Sequence, residues 1–268
     1  MAGMFVNGRG LHTGAACQLS ITAAAQLCFK IADNAPFNLT PELAQGQAKG
    51  TSIRHASTEL TTVEHVLSAC AGTGHWGGQI NMSGSEPPIA DGSALPFLEL
   101  LKQLPKVSAA PLILKSPIFL ADQDSLLVAI PLPRESGRGE GPSTALSPRI
   151  RYYASYKYTG DQYFDFDGSE ASYRSDIAPA RTFCMDYEIE IQRQAGLIKG
   201  ATPDCAVVYS PSGPSLPLRY ANEAVRHKIL DLIGDLAILG RPLLADIVAV
   251  KTSHKLNIAF AQKLAKLA

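Results

Sequence analysis

The 268-residue sequence predicts an α+β protein made of two domains, each with a small sheet packed on helices. Stretches in which apolar and polar residues alternate are interspersed with a few stretches of helical periodicity. The segment 105–111 (PKVSAAP) has the composition of a linker. We therefore place a domain boundary near residue 108, which divides the chain into domains 1–108 and 109–268. Each predicted domain contains one helix that carries candidate site residues.

The N-terminal half is predicted to contain three clear strands and two helices. Alternating apolar and polar residues indicate the strands: 17–21, 27–31 and 79–82. Apolar residues at helical spacing, with capping residues at the start, indicate the helices: 60–72 and 93–104. Residues 33–50, which are rich in Asn, Pro, Gln and Gly, are predicted to be a loop.

The C-terminal half is predicted to contain five strands and three helices. The strands are assigned to 112–120, 125–131, 149–158, 206–209 and 246–251. The helices are assigned to 185–194, 220–240 and a last segment that runs from about residue 254 to the terminus. The Gly-, Pro- and Ser-rich segment 133–149 is predicted to be a flexible loop.

The composition allows a sizeable core and argues against two kinds of partner. Hydrophobic residues make up 46 % of the chain and charged residues 18 %, so ample apolar area is available for burial. The formal net charge is zero, which argues against general electrostatic binding to nucleic acid or to an anionic membrane. No apolar run approaches the roughly 20 residues of a membrane span. We expect a monomer with neither a nucleic-acid partner nor an integral membrane span.

The cysteines and the N-terminus indicate a cytoplasmic protein. Five cysteines are scattered along the chain, and none belongs to a C-x-x-C pair. Such a set predicts neither a disulfide framework nor a cysteine-based zinc ribbon, and it suits a reducing compartment. The first residues, MAGMFVNGRG, lack the pattern of a signal peptide.

The predicted helix 220–240 carries the most informative spacing in the chain. His227, Asp231 and Asp235 follow one another at intervals of four residues, so they lie above one another on one helix face. A neutral imidazole and a carboxylate one turn apart can bind the same metal ion. The stripe lies opposite the apolar face, however, and the solvent-exposed face of an ordinary amphipathic helix has the same pattern.

Two other segments carry histidines that could complete such a site. Glu64 and His65 are consecutive on the predicted helix 60–72, so one could bind a metal while the other lies beside it. The alternative is a surface Glu-His pair. His254 follows a predicted strand and lies close in sequence to Lys251 and Lys255, which suits an anionic ligand, although an ordinary surface histidine fits equally.

Several short blocks resemble the signature motifs of the UDP-3-O-acyl-N-acetylglucosamine deacetylase family. Three of them contain the candidate residues: Thr62–His65, Arg226–Asp235 and Lys251–Asn257. The supporting blocks are Gly10–Gly14, Glu86–Phe97, Ala180–Phe183 and Gly196–Gly200. The blocks occur in the order of the family and cover nearly the whole chain. Each block is weak alone, but together they form a specific signal.

The resemblance implies a fold and an activity. The fold would be two facing α/β sandwich domains, each a small, mostly antiparallel sheet packed on helices, with the active site between them. The activity would be hydrolysis of the N-acetyl group of a UDP-linked acylated amino sugar in lipid A synthesis. One Zn²⁺ per chain would be required.

The same resemblance assigns roles to matching residues. The implied zinc ligands are His65, His227 and Asp231. The implied catalytic residues are Glu64 as the base, His254 as the acid, Asp235 as the partner of His254, and Thr182 as an oxyanion donor. The implied substrate-binding residues are Lys228, Lys251 and Phe183. Three protein ligands would leave the fourth zinc position open for water, as catalytic zinc requires.

Two other functions compete with the zinc deacetylase. The first is a non-catalytic relative that binds zinc or a nucleotide sugar as a regulator; the presence of both Glu64 and His254 argues against it. The second is a serine hydrolase that uses Ser93 or Ser253. The chain lacks the G-x-S-x-G motif of a nucleophile elbow, which argues against this alternative.

Overall fold

The N-terminal half of the chain forms a five-stranded sheet, a small separate sheet and two helices. The computed structural model describes residues 4–132 and 148–267. The strands are β1 (Val6–Arg9), β2 (Ala16–Thr22), β3 (Leu27–Ile31), β4 (Phe37–Asn38), β5 (Ala44–Gln47), β6 (Gly50–His55), β7 (Thr58–Leu60) and β8 (Gly78–Met82). The helices are α1 (Glu64–Gly72) and α2 (Leu95–Leu101). The larger sheet has the order β1-β2-β8-β3-β4, and only the pair β3–β8 is parallel. The other sheet is the antiparallel set β5-β6-β7.

The C-terminal half contains a six-stranded sheet, a three-stranded sheet and four helices among its described residues. The strands are β9 (Leu112–Ile113), β10 (Ile118–Asp122), β11 (Ser125–Pro131), β12 (Arg149–Tyr156), β13 (Gly160–Phe166), β14 (Phe183–Met185), β15 (Val207–Ser210), β16 (Gly213–Pro214) and β17 (Leu243–Val250). The helices are α3 (Glu170–Ser172), α4 (Asp186–Gln194), α5 (Glu223–Leu236) and α6 (His254–Ala265). The larger sheet has the order β10-β11-β17-β12-β13, with β9 beside β17; β17 runs parallel to β12 and β9.

The predicted α+β class is confirmed, with small sheets that are mostly antiparallel. The two larger sheets come from separate halves of the chain, but buried residues of both halves belong to one continuous apolar cluster. The domain boundary near residue 108 stays a prediction. Most of the predicted loop 133–149 lies outside the described residues.

Helix α5 is buried on almost all sides, because α1, α6, β12 and β13 pack around it. His227, Asp231 and Asp235 are only 3 %, 4 % and 0 % exposed. The alternative that this stripe is a solvated helix face is therefore wrong. The helix ends at a short 3-10 turn, after which Gly240 adopts the left-handed conformation that its position in the sequence predicts. Among the helices of the described residues, none has the length and apolar character needed to cross a bilayer.

Helices α1 and α5 approach each other closely at Gly234. A Cβ atom built on Gly234 would overlap the backbone carbonyl of Glu64. A glycine at this position therefore lets the two helix backbones come together, and it brings the start of α1 beside the stripe on α5. Helix α1 begins at Glu64, later than the predicted helix 60–72. Leu60 still belongs to β7, and Thr62 has a positive φ of 56°, which is not a helical conformation.

We expect Gly234→Ala to destabilise the fold by about 1–3 kcal/mol, the usual cost of overpacking. In a helix without this contact, replacing Gly by Ala would stabilise the protein by up to about 1 kcal/mol. The sign of the change in the free energy of unfolding therefore shows whether the contact exists. Urea denaturation measures the free energy of unfolding. Gly84→Ala serves as the control, because its Cβ would meet nothing closer than 3.4 Å. A Gly234→Ala protein as stable as the wild type would contradict the close helix contact.

The sheet β5-β6-β7 was not predicted, since all of β5 and the first residue of β6 fall within the predicted loop 33–50. The sequence there, AQGQAKGTSIRH, has little of the apolar alternation that identifies strands. Strand β5 packs on α6, and a Cβ atom on Gly46 would overlap the backbone of His254. The small sheet therefore lies against the first turn of α6.

Candidate active site

Three helices bring five of the predicted site residues to one cavity. Glu64 and His65 begin α1, His227 and Asp231 lie on α5, and His254 begins α6. All five line a cavity of about 540 Å³. Residues that lie up to 190 positions apart in the chain therefore meet at one place, as their motifs predict.

His65, His227 and Asp231 form a compact set of potential metal ligands. One ligand atom from each residue lies within 4.8 Å of those from the other two. The Asp231 Oδ1 atom is 3.2 Å from His227 Nε2 and 3.9 Å from His65 Nε2. The two imidazole rings meet nearly at right angles, with centroids 5.0 Å apart.

The charge states of His65 and Asp231 suit a cation. Burial and the neighbouring His227 lower the pKa of His65 to about 3, so this imidazole is neutral. Burial opposes ionisation of Asp231, but Lys228 holds its pKa well below its ordinary value. His227 donates from Nδ1 to the carbonyl of Ala180 at 3.0 Å, so its Nε2 is the nitrogen that faces Asp231. Two histidines and one carboxylate are a usual set of ligands for catalytic zinc.

Lys228 holds the second carboxylate oxygen of Asp231 in place. Its Nζ donates to Asp231 Oδ2 at 2.8 Å, and the side chain is nearly buried within the cavity wall. Residues that hold a ligand from behind orient it and adjust its affinity for metal. Sequence reasoning assigned Lys228 to the substrate, whereas the structure pairs its amine with a candidate metal ligand.

Glu64 points into the cavity from the first position of α1. It is only 3 % exposed, and its Oε2 accepts a hydrogen bond of 2.9 Å from the backbone N–H of Thr51. Burial raises the pKa of Glu64 to about 7. A carboxylate with a pKa near neutrality is well suited to accept and release a proton at physiological pH.

His254 and Asp235 form a buried pair. His254 Nδ1 donates to Asp235 Oδ2 at 2.9 Å, while Nε2 lies 3.8 Å from Asp231. Burial disfavours the charged imidazole, but Asp235 and the other nearby carboxylates raise the pKa of His254 to about 9. At neutral pH His254 therefore carries a proton that it can donate.

Thr182 and Phe183 also line the cavity. The backbone of Thr182 bonds to Gly92 and Val207, which holds it between the two halves of the chain. The ring of Phe183 lies edge-on to His227, with the centroids 6.2 Å apart. Both predicted residues therefore reach the cavity.

Lys251 is placed differently from the other predicted residues. Its Nζ lies 3.0 Å from Asp124 Oδ2 on the protein surface. Within the described part of the chain, the residues that line the cavity do not include Lys251. The structure thus does not bring Lys251 to the metal-ligand set.

The lining of the cavity also includes an apolar region formed by residues outside the metal-ligand set. This region is lined by aliphatic side chains of α4, β15 and nearby loops: Ile189, Ile198, Val208 and Leu216. Lys49 and Glu188 form an ion pair of 2.6 Å across one side. The cavity therefore offers both groups for polar chemistry and apolar surface for an apolar group.

Arg181 and Glu223 connect the strand that carries Phe183 to the start of α5. Glu223 Oε1 accepts from the Nε and backbone N–H of Arg181 at 2.8 and 3.0 Å, and Oε2 accepts from the backbone N–H of Arg219 at 2.7 Å. Burial disfavours the charge, but these hydrogen bonds hold the pKa of Glu223 below its ordinary value. The pair therefore positions one wall of the cavity against the helix that bears His227.

We expect Glu223→Gln to reduce the free energy of unfolding by about 3–5 kcal/mol at neutral pH, because it leaves Arg181 buried without its partner. Glu223 has a lowered pKa, so its stabilising contribution is present above the unfolded pKa near 4.5 and is lost as the pH falls through the folded pKa. The difference between the two proteins should therefore shrink below about pH 4.5. Urea denaturation across pH measures both effects.

The control for this change is Glu59→Gln, which breaks the exposed pair between Arg54 and Glu59. Exposed pairs contribute roughly 0–1 kcal/mol. Equal losses in the two variants would show that the buried pair has no special role in stability.

Three contributors to the site were missed by sequence reasoning. Thr51 donates from Oγ1 to Asp235 Oδ1 at 2.5 Å, and Asn257 donates to Asp235 Oδ2 at 2.8 Å. The third contributor is the backbone carbonyl of Ala180, which orients His227. Asn257 and Ala180 lie in recognised motif blocks, but nothing in a motif says which atoms meet. Thr51 lies outside those blocks, so no sequence signal identifies it.

Comparison with known proteins identifies extensive similarity to one family. The sequence model of the UDP-3-O-acyl N-acetylglycosamine deacetylase family matches residues 2–266. A protein of Trichormus variabilis named UDP-3-O-acyl-N-acetylglucosamine deacetylase is 33 % identical over 97 % of this chain and 95 % of its own length. Proteins of the same name from Chlamydia pneumoniae and Thermosynechococcus vestitus are 34 % and 37 % identical, and they cover 96 % and 82 % of this chain and 93 % and 72 % of their own lengths.

Proposed function

The chain belongs to the UDP-3-O-acyl N-acetylglycosamine deacetylase family, and on this premise we propose that it hydrolyses the N-acetyl group of a UDP-linked 3-O-acyl-N-acetylglucosamine in lipid A synthesis. In this reaction the amide C–N bond breaks, water supplies one of the two oxygens of the released acetate, and the sugar nitrogen gains a proton to become a free amine. The observation that carries the proposal is the meeting of His65, His227 and Asp231 with Glu64 and His254 in one cavity.

We assign the metal site to His65, His227 and Asp231 and propose that it takes one Zn²⁺. Two nitrogen donors and one ionised oxygen donor, all buried, fit zinc and leave room for a further ligand. A zinc ion held there would supply Lewis acidity, which makes water a nucleophile near neutral pH. Lys228 and the Ala180 carbonyl support the fit, because they orient Asp231 and His227 from behind.

Glu64 and His254 would move the protons of the reaction. Glu64 accepts the proton of the attacking water at its free oxygen, since Oε2 is held by Thr51. His254 gives a proton from Nε2 to the departing sugar nitrogen, because Nδ1 is bonded to Asp235. The two residues thus have separate roles, which their different pKa values support.

Other residues of the cavity lining would stabilise and hold the substrate. Thr182 lines the cavity, and its side chain would donate to the developing oxyanion. Phe183 would pack against the sugar, and the apolar region of the cavity suits an acyl chain. Lys228 adds positive charge to the cavity, while Lys251 would contact a phosphate group only outside it.

The competing functions fit the site less well. A regulator that only binds zinc or a nucleotide sugar has no need of a base and an acid with their own buried partners. Ser253 caps α6 by accepting from the backbone N–H of Leu256, and Ser93 donates to Asp91. Neither hydroxyl is paired with a histidine, as a serine nucleophile requires.

We expect the purified protein to release one acetate per UDP-linked 3-O-acyl-N-acetylglucosamine consumed, and a chelator to reduce this release to background. Added Zn²⁺ should restore it, because the chelator removes the ion but leaves the fold. The measurement is acetate release, with metal content determined on the same samples. Full turnover by protein shown to contain no metal would exclude a metal-dependent reaction, and no acetate release by zinc-loaded protein would exclude the proposed activity.

A further inference from the structure

Thr51 contacts Glu64 and Asp235, two residues to which we assign roles in proton transfer. It lies on β6, in the small sheet β5-β6-β7, and it is fully buried. Its backbone N–H donates to Glu64 Oε2 at 2.9 Å, and its Oγ1 donates to Asp235 Oδ1 at 2.5 Å. Glu64 is the proposed base, and Asp235 is the partner of His254, the proposed acid.

The surroundings of Thr51 hold it firmly at this place. The backbone N–H of Val63 donates to the carbonyl of Thr51 at 3.3 Å, which ties β6 to the residue before α1. The preceding Gly50 has a φ of 142°, and a Cβ atom there would lie 3.2 Å from Glu64 Oε1. The chain therefore passes directly beside the carboxylate of Glu64 before it reaches Thr51.

Asp235 depends on Thr51 for one of its two oxygens. Its side chain is fully buried, and Oδ2 accepts from His254 Nδ1 at 2.9 Å and from Asn257 Nδ2 at 2.8 Å. Within the described residues, Thr51 is the partner of Oδ1. A buried carboxylate oxygen that loses its donor is poorly solvated, so the carboxylate would turn or shift, and His254 would turn with it.

We propose that Thr51 is a positioning residue that fixes His254 and Glu64 relative to each other across the cavity. This inference rests on the proposed deacetylase function. Thr51 reaches the acid through its hydroxyl and the base through its backbone, so a side-chain substitution can release the acid alone. The N-terminal half of the chain thereby sets the orientation of a group that the C-terminal half carries.

Thr51→Val tests the hydroxyl, because it keeps the shape of the side chain and the backbone N–H. We expect kcat for acetate release to fall by about 10–100-fold, as when an outer partner of a site residue is lost, while KM stays within about twofold and zinc content is unchanged. Thr51→Ser, which keeps a hydroxyl, should restore kcat to within about threefold of the wild type. Thr51→Ala replaces Thr51→Val if the latter does not fold.

A matched control is Thr73→Val. Thr73 is also fully buried and donates its hydroxyl to the carbonyl of Ala69, but it lies outside the cavity. The kcat of Thr73→Val should equal that of the wild type even if the melting temperature of the variant falls. A loss of kcat below about tenfold in Thr51→Val, an effect confined to KM, or an equal loss in Thr51→Ser or in Thr73→Val would overturn the proposal.

A second readout does not require turnover. In ¹⁵N-histidine NMR spectra, the Nδ1 proton of His254 should give a downfield signal, assigned by its loss in His254→Gln. We expect this signal to shift or vanish in Thr51→Val and to return in Thr51→Ser; an unchanged signal would overturn the proposal. If wild-type protein releases no acetate, the deacetylase function fails, and this signal alone still decides whether Thr51 positions His254.

Discussion

Replacing His227 by Gln is expected to remove bound zinc and to abolish acetate release. The imidazole is one of the three groups proposed to hold the ion, and its Nε2 lies 3.2 Å from Asp231 Oδ1. With Gln at this position only His65 and Asp231 would remain as ligands of the original set. The buried carboxylate of Asp231 would also have a weaker partner than the imidazole. Loss of a residue that merely supports a ligand lowers metal affinity or activity by about 10–100-fold, so loss of a ligand should exceed this. Metal analysis after dialysis, together with turnover, measures the effect.

The chain provides a matched control in His75. This histidine is also buried, but it bonds to Thr73 and lies outside the cavity lining of the described residues. His75→Gln should lose stability while it retains one zinc per chain and its kcat. If both variants kept their zinc, or both lost it, His227 would have no specific role in metal binding.

The second large effect is expected for Glu64→Gln, in which turnover should fall by about 10²–10⁴-fold. The amide oxygen of Gln can still accept the hydrogen bond from Thr51, but the side chain cannot take a proton from the attacking water. Zinc content and KM should change little, because Glu64 is not one of the proposed ligands. The measurement is kcat for acetate release, with zinc determined on the same preparation.

Glu99→Gln makes the same chemical change on the exposed side of α2, where Glu99 pairs with Lys102. Its turnover should match that of the wild type. Unchanged turnover in a zinc-loaded Glu64→Gln protein would mean that another group accepts the proton, and the role proposed for Glu64 would have to be withdrawn.

The sequence predicts those parts of the site that depend on residue spacing within a single helix. His227, Asp231 and Asp235 recur every four residues, so their common face follows from helix geometry alone. Gly240 ends the 3-10 turn that follows α5 for an equally local reason. The meeting of α1 with α5 followed instead from the resemblance to a family, because spacing within one helix carries no information about another.

The parts that the sequence does not predict depend on contacts between distant segments. Thr51 and Asp235 are 184 positions apart, and the hydrogen bond between them forms only because the fold brings β6 to the start of α1 and into contact with α6. The carbonyl of Ala180 orients His227, but every residue has such a carbonyl. Lys251 matches a motif position, yet the structure pairs it with Asp124. A motif identifies the residue type and leaves the direction of the side chain open.

X-ray diffraction from crystals of the purified protein at the zinc absorption edge tests the central claim most directly. We predict one anomalous peak within bonding distance, about 2.0–2.2 Å, of a nitrogen of His65, a nitrogen of His227 and an oxygen of Asp231. A zinc-loaded crystal whose anomalous peak lies elsewhere, or in which one of these three side chains points away from the ion, would contradict the proposed active site.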